Sequence, residues 1–95
     1  MTKYTTFRED LKEQLDDRAF RKYYKHELQK LRLGKQIADV RTKRGLTQKA
    51  MAKLLKTSQG AGTRLESGAY AGYSLRTLEK IAAATGAQLD IHLHL

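Results

Sequence analysis

The sequence predicts an all-α fold: a small helical bundle with an N-terminal helical extension and a short C-terminal β-strand. Apolar residues recur every three or four positions through most of the 95-residue chain, which is the spacing of amphipathic helices. Proline, which interrupts helices, is absent. Strict alternation of apolar and polar residues is confined to the last stretch, QLDIHLHL, and indicates a half-buried strand.

Helical spacing begins near the N-terminus, where Phe7, Leu11 and Leu15 repeat every four residues. Asp16-Asp17 is suited to cap a second helix, although a single bent helix fits the pattern equally well. The apolar residues that follow keep the same spacing, and they are Phe20, Tyr23, Tyr24, Leu28 and Leu31. A further helix carries Ile37 and ends at Gly45, and the predicted N-caps of the later helices are Thr47, Thr57 and Ser74.

The predicted strand requires a partner, because a single strand cannot satisfy its own backbone groups. No other segment has a strand pattern, so the simplest partner is the same strand of a second copy, and the alternative is an edge strand of another protein. The sequence therefore divides into residues 1–31 (extension), 32–86 (bundle) and 87–95 (a strand that forms a homodimer).

The charge distribution favours a nucleic-acid partner. The chain has nineteen Lys and Arg residues and ten Asp and Glu residues, which gives a formal net charge of +9. Seven of the cations and none of the acids lie between Arg41 and Arg64, as expected for phosphate contacts, whereas a merely solubilising surface is the alternative. Five acids cluster instead near the N-terminus: Glu9, Asp10, Glu13, Asp16 and Asp17.

Several classes of chemistry are not expected. The chain has no cysteine, so it can form neither disulfides nor thiolate metal sites, and it has no long apolar run, so we expect a cytoplasmic protein. We find no catalytic constellation and expect neither an enzyme nor a cofactor. His92 and His94 share one face of the predicted strand, but two ligands without a third make a weak metal site, and we expect no metal.

The segment from Arg41 to Gly68 resembles the lambda-repressor-like helix-turn-helix family of the XRE type. The resemblance rests on Arg41-x-x-x-Gly45-Leu46-Thr47-Gln48, on Thr57-Ser58-Gln59 and on Arg64-Leu65-Glu66-x-Gly68. It implies two short helices, residues 48–55 and 58–67, of which the second enters the major groove of operator DNA. It also implies that Arg41 and Glu66 form an ion pair that holds two helices at a fixed angle.

The resemblance implies a set of DNA-contacting residues. Gln48 bonds a phosphate, and Gln59 and Arg64 are suited to adenine and guanine respectively. The complete set of predicted DNA-binding residues is Lys43, Gln48, Lys49, Ser58, Gln59, Gly60, Thr63 and Arg64. Family members usually have glycine at the position of Lys56 and a branched aliphatic residue at that of Gly62. We therefore expect the second helix to be loosely held.

The stretch FREDLKEQLDDRAFRKYY before this domain, together with the C-terminal LDIHLHL, resembles HigA-type antitoxins. These proteins bind and neutralise a RelE/HigB-like ribonuclease toxin and repress their own operon. The predicted toxin-binding residues are Phe7, Leu11, Leu15, Phe20, Tyr23 and Tyr24, with the N-terminal acids facing a basic toxin. Alternatively, this apolar stripe packs on the domain's own core.

The first functional hypothesis is accordingly an antitoxin and autorepressor. The second is a stand-alone repressor of phage or plasmid type that uses its extension for dimerisation. The third is a helix-turn-helix fold retained as a protein-interaction module, which the glycines of the second helix favour.

Overall fold

A computed structural model describes residues 9–10, 12–13 and 17–95 of the chain. Between residues 17 and 95 it contains four helices, which are α1 (Arg18–Lys43), α2 (Gln48–Leu54), α3 (Gln59–Ser67) and α4 (Leu75–Thr85). The predicted toxin-binding residues Phe7, Leu11 and Leu15 lie outside the described residues.

Helix α1 is continuous over 26 residues, so it measures about 39 Å at 1.5 Å per residue. The Asp17 side chain caps it by accepting a 2.9 Å hydrogen bond from the Phe20 backbone N–H. The helix ends before Gly45, whose φ of 73° is left-handed and suits glycine. The predicted boundary between residues 31 and 32 therefore falls within one uninterrupted helix.

Short polar side chains cap the three other helices as well. Thr47 accepts a 3.0 Å bond from the Ala50 backbone N–H, and Ser74 accepts one of 3.2 Å from Thr77. The cap of α3 is Ser58, not the predicted Thr57, since the Ser58 hydroxyl accepts a 3.1 Å bond from the Ala61 backbone N–H. Both residues are good caps, and sequence alone does not separate neighbours of equal capping strength.

The core is small, and each helix contributes one large buried residue to it. Ile37 of α1, Met51 of α2, Leu65 of α3 and Ile81 of α4 pack together. Four half-buried residues surround this cluster: Leu33, Leu55, Tyr70 and Tyr73. No described residue before Gly34 is buried, so the N-terminal half of α1 projects from the body of the domain.

The prediction of a C-terminal β-strand is wrong. Residues 87–95 have no strand structure, and three of the four side chains on the predicted apolar face, Ile91, Leu93 and Leu95, are well exposed. The described chain contains no strand at all, so no part of it pairs with this segment through backbone hydrogen bonds. Homodimerisation remains a prediction, but the strand through which the two copies were expected to pair is not present.

Candidate nucleic-acid interface

A tight turn joins α2 to α3. Leu55 is the C-cap of α2, and the Thr57 backbone N–H then donates a 3.0 Å bond to the Ala52 carbonyl. Between them, Lys56 has a φ of 56°. It is the only residue other than glycine in the described chain with a positive φ. A side chain in this left-handed region costs about 1–2 kcal/mol, which explains why glycine suits the position.

Helix α3 has two distinct faces. Ala61, Gly62 and Leu65 are buried. The residues predicted to contact DNA from this helix and its cap are all exposed, and they are Ser58, Gln59, Gly60, Thr63 and Arg64. Their spacing places a polar surface along one side of the helix, opposite the core.

Gly60 and Arg64 lie next to each other on this exposed face. A Cβ built at Gly60 would lie 3.6 Å from Nη1 of Arg64, because the arginine side chain runs back toward the N-terminus of its helix. The guanidinium therefore stands beside the first turn, where free backbone N–H groups favour an anion. Thr63 donates its hydroxyl to the Gln59 carbonyl at 3.0 Å, which leaves its oxygen able to accept.

An ion pair joins α1 to the last turn of α3. Arg41 Nε lies 2.8 Å from Glu66 Oε2, and Arg41 Nη1 donates a 2.7 Å bond to the Leu46 carbonyl in the following loop. The two side chains are only 17% and 9% exposed, so water screens the pair weakly. One arginine thus positions α3 and the loop that leads into α2.

The other predicted DNA-binding residues lie at the ends of α1 and α2. Gln48, the first residue of α2, is half-buried, and its Nε2 lies 3.4 Å from Glu66 Oε1. Lys43 and Lys49 are exposed near the end of α1 and the start of α2. The structure thus brings Gln48 to the Arg41–Glu66 pair and leaves both lysines available to a phosphate backbone.

The close approach of α1 to α3 at Gly34 was not predicted. A Cβ at this buried glycine would lie 2.5 Å from the Glu66 carbonyl oxygen and 2.9 Å from the Gly68 backbone nitrogen. Only a residue without a side chain permits such contact between a helix and the backbone of another. An isolated glycine inside a helical pattern is the sequence signal that could have indicated it.

Tyr73 holds the C-terminal end of α3. Its hydroxyl donates a 2.6 Å bond to the Leu65 carbonyl, one of the last carbonyls of the helix. Burial of this side chain raises the pKa of Tyr73 above its ordinary value. The hydroxyl therefore remains a hydrogen-bond donor throughout the neutral range.

The projecting half of α1 carries the described part of the predicted toxin surface. Phe20 stacks on Tyr24 with ring centroids 6.3 Å apart, and Tyr23 lies 6.5 Å from Phe20. Tyr23 is 61% exposed and Tyr24 is 41% exposed. Neither belongs to the buried core, so within the described part of the chain these rings form an uncovered aromatic cluster.

Two further observations concern other kinds of site. Within residues 9–10, 12–13 and 17–95, no three His, Cys, Asp or Glu side chains are grouped so that they could hold a metal ion. His92 and His94 have ring centroids 6.4 Å apart. No helix of this part of the chain is both long and apolar enough to cross a bilayer.

Comparison with known proteins identifies the fold independently of these contacts. A family model described as a helix-turn-helix domain matches residues 20–94. The match includes nearly all of α1, the three shorter helices and almost the whole C-terminal segment. No curated protein and no solved structure matches the chain significantly.

Proposed function

The chain belongs to a helix-turn-helix domain family, and from that premise we propose that it is the antitoxin and autorepressor of a toxin–antitoxin pair. In this proposal, α3 reads operator DNA, and the projecting half of α1 binds and neutralises a ribonuclease toxin of the RelE/HigB type. The chain itself carries out no catalysis.

Family membership supports a DNA-binding transcriptional regulator, and the exposed face of α3 supports the way in which it binds. Arg64 is the principal candidate for base recognition, because a guanidinium can bond the two acceptors of guanine in the major groove. Gln59, exposed at the first turn of α3, is the candidate for adenine. In this proposal, Gln48, Lys43 and Lys49 contact phosphates.

The observation that carries the toxin part of the proposal is the uncovered aromatic cluster of Phe20, Tyr23 and Tyr24. Exposed aromatic side chains of this kind are typical anchors of protein interfaces. Its nearest member, Tyr24, lies about 15 Å along α1 from Gly34, where the helix meets α3, so a protein bound there need not displace DNA from the recognition helix. Two separate surfaces suit a protein with two partners.

A stand-alone repressor is the second candidate. The same aromatic cluster would serve it as a contact between two copies of the chain, which would bring two recognition helices to a palindromic operator. The two candidates differ in what covers Tyr23 and Tyr24.

One pair of variants tests the proposal. The protein is co-expressed with the product of the adjacent reading frame, and both RNA cleavage and binding to the upstream DNA are measured. We expect Arg64→Ala to weaken DNA binding by about 1–3 kcal/mol while toxin neutralisation is retained. Tyr23→Ala/Tyr24→Ala should abolish neutralisation and leave the affinity for DNA unchanged.

The two variants act as controls for each other, since all three side chains are exposed and neither variant should alter the melting temperature. Retained neutralisation by the double tyrosine variant would contradict the toxin surface. Loss of self-association by that variant, in a protein whose neighbour has no ribonuclease activity, would support the stand-alone repressor.

A further inference from the structure

An apolar groove lies between the end of α2 and the second half of α4. Its volume is about 520 Å³, and it is lined by Leu54, Leu55, Lys56, Lys80, Ala83 and Ala84. Leu54 is 54% exposed, and Ala83 is exposed as well, so apolar surface here is uncovered within the described part of the chain. We call this surface the α2–α4 groove.

Two lysines border the α2–α4 groove, and none of its lining residues is acidic. Lys56 and Lys80 are both exposed, and neither forms an ion pair with a carboxylate of the described residues. Two such grooves placed face to face would bring like charges together and repel each other. The groove therefore suits a segment whose apolar side chains are flanked by acids.

The groove lies on the side of α4 that faces away from α1. Its three α4 residues are centred about 160° around the helix from the three that line a hollow against α1, which are Leu78, Ile81 and Ala82. Helix α4 thus stands between the groove and α1.

The chain itself contains a segment with the required composition. Residues 9–17 have five acids and one cation, whereas residues 18–95 have sixteen cations and five acids. The apolar residues among these acids recur every four positions, and they are Phe7, Leu11 and Leu15. We call residues 7–17 the acidic segment.

Three acids of the acidic segment lie within the described residues. Glu9, Asp10 and Glu13 are helical and exposed, and none of them forms an ion pair with a cation of the described residues. The acidic segment and the groove are thus complementary in charge, and both carry apolar side chains.

We infer that the α2–α4 groove binds the acidic segment of a second copy of the chain. Within one chain, residues 14–17 span at most about 17 Å between Glu13 and the start of α1. Arg18 itself stands about 24 Å along α1 from Gly34, where α1 meets α3. This link is too short to carry the helical acids back to the far side of α4.

A second copy supplies the acidic segment without this restriction and at the same concentration as the groove. When each copy gives its segment to the other, the contact is a closed two-fold exchange that leaves neither groove empty. The inference requires neither DNA binding nor a toxin.

Exchange of charges between the two surfaces provides the test. Self-association of the full chain is measured by sedimentation velocity at low salt, where charge contacts are least screened. Lys56→Glu/Lys80→Glu reverses the groove, and Glu9→Lys/Glu13→Lys reverses the acidic segment. We expect each variant to self-associate at least about tenfold more weakly than the wild type, because like charges then meet.

An equimolar mixture of the two reversed variants should recover the dimer. In the mixture, the acidic segment of one variant meets the lysine groove of the other, and the reversed segment meets the reversed groove. Every altered side chain is exposed, so the melting temperatures should stay close to that of the wild type.

The matched control is Lys22→Glu/Lys25→Glu, which also reverses two exposed lysines and gives the same net charge as the groove variant. We expect it to self-associate like the wild type. Equal weakening in this control, or a mixture that stays monomeric, would reduce the effect to net charge and overturn the inference. A monomeric wild type would also overturn it and would leave the groove to a separate acidic protein or to the segment of the same chain.

Discussion

The two contacts that hold the recognition helix differ in closeness. Against α1, helix α3 is in backbone contact at Gly34, and the partly buried Arg41–Glu66 pair joins the same two helices. Against α2, the contact at Gly62 is open, because a Cβ added there would meet only the Ala52 methyl group, at an ordinary 3.5 Å. The turn between α2 and α3 also holds Lys56 in a left-handed conformation.

The difference shows that a glycine inside a helix can have opposite effects on how closely that helix packs. At Gly34 the missing side chain permits a contact that the fold requires, whereas at Gly62 it leaves out a contact that the fold would accommodate. We conclude that α1 holds the recognition helix through a close backbone contact at Gly34, whereas the contact with α2 leaves room for a side chain at Gly62.

The largest effect is expected from Gly34→Ala, which should destroy the α1–α3 contact. A Cβ 2.5 Å from a backbone oxygen forces the two helices apart, at a cost of about 3 kcal/mol or more. Thermal unfolding should show a fall of at least about 12 °C. Gly72→Ala is the control, since nothing lies within 4 Å of an added Cβ there. Similar melting temperatures for the two variants would contradict the tight contact.

Neutralising Glu66 should weaken the same contact less severely. Glu66→Gln leaves the guanidinium of Arg41 largely buried without a counter-charge, and we expect a loss of about 2 kcal/mol in the free energy of unfolding. Urea denaturation measures it. Glu27→Gln removes the exposed partner of Lys30 and should cost less than about 0.5 kcal/mol. Equal losses would mean that the buried pair contributes no more than a surface pair.

Gly62→Ala should strengthen the α2–α3 contact. The added methyl group meets Ala52 at 3.5 Å, and alanine gains about 0.8–1 kcal/mol over glycine within a helix. We expect the melting temperature to rise by roughly 4–8 °C. Gly60→Ala, on the exposed face of the same helix, adds only helix propensity and should raise it less. A lower melting temperature for Gly62→Ala would show that the contact is already closed.

The smallest effect is expected from Lys56→Gly in the turn. Glycine removes the left-handed strain, but it also increases the conformational freedom of the unfolded chain, so the net gain should be about 0.5 kcal/mol. Calorimetry should show a rise of about 2–4 °C. Lys56→Ala removes the same charge and keeps a Cβ, so any gain in that variant would assign the effect to charge instead of backbone strain.

Local features of the sequence predicted much of this structure. Thr47 and Ser74 were identified as caps because capping depends on residues three positions apart. The family resemblance suggested which residues of α3 would contact DNA, and those residues are exposed. The family resemblance, and not spacing, suggested that Arg41 would meet Glu66.

Features that depend on distant parts of the chain were not predictable in the same way. Alternation at residues 89–95 indicated a strand, but alternation alone does not form one, and the described chain offers no neighbouring strand to pair with it. The role of Gly34 depends on the backbone of Glu66 and Gly68, more than 30 positions away. The continuity of α1 was likewise hidden by an apolar pattern that changes faces near Leu31.

That change of face has a consequence for how this protein can evolve. Because α1 is one rigid helix from Arg18 to Lys43, the number of residues between Tyr24 and Gly34 determines the azimuth of the aromatic cluster relative to the recognition helix. One inserted residue would rotate the whole projecting half by about 100° about the helix axis and advance it by about 1.5 Å. The number of residues in this stretch therefore sets the direction in which the aromatic cluster points. Point substitutions here should be far better tolerated than changes in length.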